Sequence, residues 1–169
     1  MILTLVLSLA GCLLLFLCIW GVTVTMPTGL LAKNFPVDVQ ERLRPRLENL
    51  PMSFKRVVGW IILDAFCVLY IGLFAYGAKD GMDHGYSFWQ FFLSFFLIAG
   101  IIKVFDIVCL DFFLLTKTGF FQHYFPETEG CEGWKQFGYN RRQQIRQSIA
   151  LLVGSLILAL ICSLILKGK

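Results

Sequence analysis

The chain predicts an all-α fold, a four-transmembrane-helix bundle with both termini outside, on three observations. Hydrophobic residues make up 57% of the sequence and charged ones 15%, whereas soluble domains carry about 25% charged residues. The apolar residues are gathered into four long runs, and none shows the alternation of ten-residue barrel strands. Eleven of the fifteen Lys and Arg fall into two of the connections between those runs. A mean hydropathy of +0.73 agrees. An ordinary soluble domain is excluded, and no pattern points to nucleic acid.

The first run, residues 2–26, holds no charge over 25 residues, enough for a span that needs about 20. It is expected to stay on the protein rather than be cleaved. No basic residue precedes it and no A-x-A stands before Pro27, and its apolar length exceeds the 7–15 residues of a signal-peptide core. The connection 27–56 contains PVDVQERLRPRLENLP, which predicts a short helix from Pro36 ending before Pro45. Val37, Val39 or Gln40, and Leu43 give it a narrow apolar face, expected to lie on the inner membrane surface.

The second span, 57–78, carries one charge, Asp64. The turn KDGMDHG after it, with Gly81 and Gly85, is short enough to make the flanking spans antiparallel neighbours. The third span, 86–116, carries Lys103, Asp106 and Asp111. The connection 117–147 is rich in rings (Phe120, Phe121, Tyr124, Phe125, Trp134, Phe137, Tyr139). Such rings partition to the membrane interface, so the segment is expected to rest there. The fourth span, 148–166, holds Ala150-x-x-x-Gly154 and Ser155-x-x-x-Ala159, small residues that allow close helix contact and are expected to pack within the chain.

Orientation follows from the basic residues. The connections 27–56 and 117–147 carry eleven Lys and Arg, against three in the short turn and the C-terminal tail. Both longer loops are expected in the cytoplasm of a multi-pass cell-membrane protein. Trp20 and Trp60 then stand near the inner boundary, and Tyr76, Tyr86 and Trp89 near the outer one. Of the six cysteines, five lie in spans and Cys131 in a cytoplasmic loop; no CxxC pair exists, so quinone-linked disulfide chemistry is not expected.

Asp64, Lys103, Asp106 and Asp111 form the candidate polar intramembrane cluster. A charge at the bilayer centre costs at least ~2.5–3.5 kcal/mol on insertion scales, so such groups usually face protein or water and have a partner. Counting helix rise from the basic flanks, Asp64 lies roughly 12 Å in, Asp111 roughly 9 Å, Asp106 roughly 16 Å and Lys103 roughly 21 Å. The three acids therefore share the cytoplasmic half. At i,i+3, Lys103 and Asp106 have the spacing of a pair. On a regular helix Asp106 and Asp111 stand roughly 140° apart, which counts against a metal dyad of the D-x-x-x-D kind. The functional expectation is a cytoplasm-facing polar cavity with Asp64 and Asp106 as proton-titrating or cation-binding carboxylates. The bland alternative is packing ion pairs and interfacial water.

The third loop supplies further candidates, His123, Glu127, Glu129 and Cys131, with Glu132 beside them. His123 and Glu127 have i,i+4 spacing, but Pro126 stands between them and breaks a helix there. No metal site is expected, since zinc needs more ligands at better spacing, and no cofactor is expected. Nucleophilic triads, phosphate loops and HExxH are absent from the sequence.

Phe105-Asp106 with Asp111-Phe112, followed by Pro126-Glu127-Thr128-Glu129-Gly130 and Phe137-Gly138-Tyr139, resembles uncharacterised small multi-pass membrane proteins of Gram-positive bacteria. The resemblance covers about a fifth of the chain and implies no activity. The expected function is non-enzymatic, a small transport-related or accessory component of a membrane complex. The alternative is a membrane enzyme acting on a lipid or polyprenyl substrate at the cytoplasmic interface. Expected partners are the lipid bilayer, with a larger membrane protein or a second copy beside it.

Overall fold

A computed structural model describes residues 1–25, 32–48 and 53–168. The predicted end of the first span at Met26, the loop stretches 26–31 and 49–52, and Lys169 lie outside the described residues. Most of those described are helical, and they contain no strand. The helices are α1 (Ile2–Thr25), α2 (Val37–Glu48), α3 (Phe54–Asp83), α4 (Phe88–Phe105), α5 (Phe120–Tyr124) and α6 (Arg141–Lys167). A π-helical segment, Asp106–Leu115, follows α4 directly. Four helices, Ile2–Thr25, Phe54–Asp83, Phe88–Leu115 and Arg141–Lys167, are long and apolar enough to cross a membrane, as an integral membrane protein requires.

Helix α3 runs from Phe54 to Asp83, through Gly81, where the sequence predicts a turn. Gly81 is buried against Phe91, and its missing Cβ leaves room for that ring. Of the two predicted turn glycines, it is Gly85 that takes the left-handed conformation (φ 62°) that a turn needs and glycine supplies. Below it Asp80 accepts from the Tyr86 hydroxyl at 3.4 Å and meets His84 Nδ1 at 3.3 Å.

The contacts divide the chain into two compact units. The first comprises Met1–Leu15, Cys67–Phe105 and the chain from Arg142. Its apolar packing has two centres. Leu7 and Cys12 of α1 meet Ile98 and Ile102 of α4, with Gly11 admitting Ile102. Phe91 and Phe95 of α4 meet Ala159 and Cys162 of α6. Ala159 and Ser155 are buried, so this part of the small-residue stripe packs within the chain, whereas Ala150 is exposed. Buried hydroxyls are satisfied locally: Ser8 Oγ donates to Thr4 O at 2.8 Å, and Thr4 Oγ1 lies 3.2 Å from Ser94 Oγ.

The second unit comprises Phe16–Phe66 and Asp106–Arg141. Its centre is an aromatic core whose rings lie outside the span sequences, joined by Leu115 from the end of the third span. Val39 and Leu43 of α2 pack with Ala32, Phe35, Leu115, Phe121, Phe125 and Trp134. Phe35 meets Phe121 and Trp134 edge-on, each at 5.0 Å, while Phe121 stacks on Trp134 at 5.8 Å. The rings at 121, 125 and 134 are therefore protein core and not an interfacial coating. Val39 and Leu43 of the predicted apolar face of α2 pack on them, while Val37 of that face is 71% exposed. Within a folded chain those rings remove more apolar area from water than half-immersion would.

Helix α2 also continues past Pro45 to Glu48. Proline at that position removes one N–H bond and crowds the preceding turn, but contacts beyond it hold the last turn in place. Arg46 donates to Glu127 Oε1 at 2.9 Å and to Tyr124 O at 3.3 Å, and its guanidinium lies 5.3 Å over the Phe125 ring. Leu47 packs against the aromatic core. At the start of α2, Asp38 accepts from its neighbour Val39 N at 2.9 Å and from Gly133 N at 2.8 Å, tying helix to loop.

Candidate functional site

The third span changes its hydrogen-bond register where its acidic residues begin. From Asp106 to Leu115 the backbone is π-helical over ten residues, although π-helix is mostly met as single turns, frequently at functional sites. The segment DIVCLDFFLL has no Pro or Gly, so nothing in its composition announces the change. Bonding from i to i+5 widens the turn and brings residues five apart over one another. Asp106 and Asp111 are five apart. The 140° separation of a regular helix therefore does not apply, and the objection it raised against the two carboxylates sharing a face falls.

What lies beside that face comes from the end of the aromatic loop. Phe137 packs edge-on against Phe112 at 5.4 Å, which lays the following residues along the π segment. Gly138 takes the left-handed conformation (φ 85°) and Arg141 N donates to its carbonyl at 3.1 Å, opening α6. Between them, Asn140 Nδ2 donates to Asp111 Oδ2 at 3.0 Å. The Tyr139 phenol is pushed well above its ordinary value, first by burial, then by the Asp111 carboxylate, then by Asp106. A phenol kept protonated beside two acidic groups is a donor facing acceptors. Asp106, Asp111, Tyr139 and Asn140 thus form one polar group around the π segment.

The Tyr139 shift has a measurable consequence. The folded chain holds the phenolic proton where the unfolded chain has begun to lose it, so stability falls as pH rises above the ordinary phenol value of 10.0. Below that value the contribution is fully present. Thermal unfolding in detergent is expected to show this alkaline loss in the wild type, and Tyr139→Phe is expected to flatten it. An unchanged alkaline limb in Tyr139→Phe would remove Tyr139 as its source.

The other expected site residues have the following surroundings. Lys103 is half-buried in the first unit, where its Nζ donates to Gln147 Oε1 at 2.5 Å. Asp64 is exposed on α3, with no hydrogen-bond or ion-pair partner among the described residues. Within the loop, Glu127 is taken up by Arg46. Cys131 packs at the edge of the aromatic core, His123 is exposed against the Tyr124 ring, and Glu129 is exposed. Among the described residues no three His, Cys, Asp or Glu side chains come together as a metal site.

Sequence reasoning missed Tyr139, Asn140 and Gln147 as polar partners. The available signal was polar: Tyr139-Asn140 directly after Phe137-Gly138, and Gln147 one residue before the predicted fourth span, which in fact begins as helix at Arg141. Comparison with known protein families, with curated proteins and with solved structures returned no match.

Proposed function

We propose that the chain is a small transport-related component of a cell-membrane complex, with its two longer loops in the cytoplasm and with Asp106 and Asp111 as proton-titrating or cation-binding carboxylates. The supporting observation is the π segment, in which Asp111 accepts from Asn140 and both acids, five residues apart, act on the phenol of Tyr139. Ionisable groups inside a span mark ion pathways and proton relays by default. Asn140 orients one carboxylate, and Tyr139 supplies a donor that keeps its proton through the physiological range.

The test is ion flux into liposomes holding the full chain, read with a trapped pH-sensitive dye and with alkali cations varied outside. Wild-type protein is expected to carry ion-dependent flux, and Asp106→Asn or Asp111→Asn to lower it by about tenfold or more, since each variant keeps shape and loses the titrating group. Wild-type flux equal to that of protein-free vesicles overturns the proposal.

One observation favours the lipid-enzyme reading. In the first unit an apolar groove of about 430 Å³ is lined by residues including Tyr70, Phe74, Ala99, Gly154, Ser155 and Leu158. That volume is within the range of small-molecule sites, and its lining suits an acyl or prenyl chain. Mass spectrometry of lipid retained by the purified protein tests it. A retained lipid that Gly154→Leu displaces would support this reading, and purified protein free of lipid would count against it.

A further inference from the structure

The structure assigns Asp64 to an interface: we infer that the α3 face bearing it docks against a transmembrane helix of another protein, one that carries a Lys or Arg at the same depth. This rests on the membrane-complex part of the proposal above and not on the Asp106–Asp111 site. Val57, Trp60, Ile61 and Asp64 recur at i, i+3, i+4 and i+7 and so form one stripe. All four are exposed, the three apolar ones to 45%, 43% and 61%.

A carboxylate in that stripe is the informative residue. It stands eight residues past Arg56, roughly 12 Å along the helix. Lys and Arg near helix ends reach the interface with long side chains, but aspartate has one methylene and cannot. Charged residues in spans almost always face protein or water and are paired, yet Asp64 has no partner among the described residues.

Charge complementarity selects the occupant. A second copy meeting this face symmetrically would set Asp64 against Asp64, a like-charge contact. The intramembrane cation of the chain, Lys103, already donates to Gln147. A foreign helix with a single basic residue meets the carboxylate with an opposite charge, and Trp60 and Ile61 offer it apolar contact on either side.

The experiment uses the full chain in phosphatidylcholine nanodiscs and two fluorophore-labelled poly-leucine transmembrane peptides. One peptide carries a single Lys eight residues inside its apolar end, and the other carries Leu there. Energy transfer is expected to show the Lys peptide associating about tenfold more tightly, and Asp64→Asn to lower it to the Leu level. Asp64→Leu is expected to lose the same binding while raising the thermal stability of the lone chain, which a structural carboxylate would not do. Equal association of the two peptides overturns the inference. So does transfer between two labelled copies of the chain that Asp64→Asn abolishes, because the occupant is then a second copy. Neither result depends on ion flux, so the failure of this inference and that of the Asp106–Asp111 site are distinguishable.

Discussion

Replacing Trp134 with Ala is expected to cost the second unit about 3–5 kcal/mol, the range for emptying a buried aromatic site. Trp134 is 2% exposed, stacks on Phe121 and meets Phe35 edge-on. Its indole N–H donates to Thr128 O and Oγ1 at 3.2 and 3.1 Å. The change therefore opens a cavity and also removes the indole donor, worth about 0.5–1.5 kcal/mol net per bond, while Thr128 O keeps its bond from Cys131 N and Thr128 Oγ1 its bond to Phe125 O. Site-resolved thiol labelling gives the readout. Cys131, at the edge of this core, is expected to react much faster, while buried Cys12 and Cys162 of the first unit keep their rates. Trp134→Phe separates the two losses, because it restores most of the ring and none of the donor. Unchanged Cys131 labelling in Trp134→Ala would mean that this core does not hold the loop.

Gly81→Ala is expected to destabilise the first unit, although alanine is the better helix former. The propensity gain is about 1 kcal/mol. Against it, the new Cβ would overlap the Phe91 ring. That ring is fully buried, 6.1 Å from Phe95 and 5.7 Å from Tyr86 between centroids, so it cannot swing aside without moving its neighbours. Overpacking of this kind costs about 1–3 kcal/mol, which exceeds the gain at most of its range. Gly81→Val is expected to do worse, since branching at Cβ adds bulk and loses the helix preference. Thermal unfolding of the two variants in detergent should rank them wild type, Ala, Val. A more stable Ala variant would show that the α3–α4 contact yields.

The spans were legible because hydropathy acts over long windows. The predicted 57–78 and 148–166 grow to Phe54–Asp83 and Arg141–Lys167, since polar ends extend a helix beyond the apolar core without cost. The packing of α2 was half legible. Its apolar residues Val39 and Leu43 stood out, but their partners Phe121 and Trp134 lie far along the chain, about eighty and ninety residues further on, and no local pattern records such a pairing. Periodicity therefore shows an apolar face on α2 but not the loop rings that cover Val39 and Leu43. The Asp106–Asp111 geometry was misjudged for a different reason. A residue count becomes an angle only once the helix type is known, and DIVCLDFFLL reads as an ordinary apolar helix. Asn140 lies 29 residues from Asp111 and was equally out of reach.

The π segment gives the two carboxylates a property that a fixed dyad lacks. In a helix bonded from i to i+4, acids five apart diverge; bonded from i to i+5, they align. Hydrogen-bond register is thus a rotary control on Asp111. A ligand, a neighbouring helix or a substitution that drives Asp106–Leu115 back toward α-helix separates the pair without touching either side chain. The same turn draws Asp111 away from Asn140. Backbone register, and not only side-chain charge, then sets whether the two carboxylates share a face.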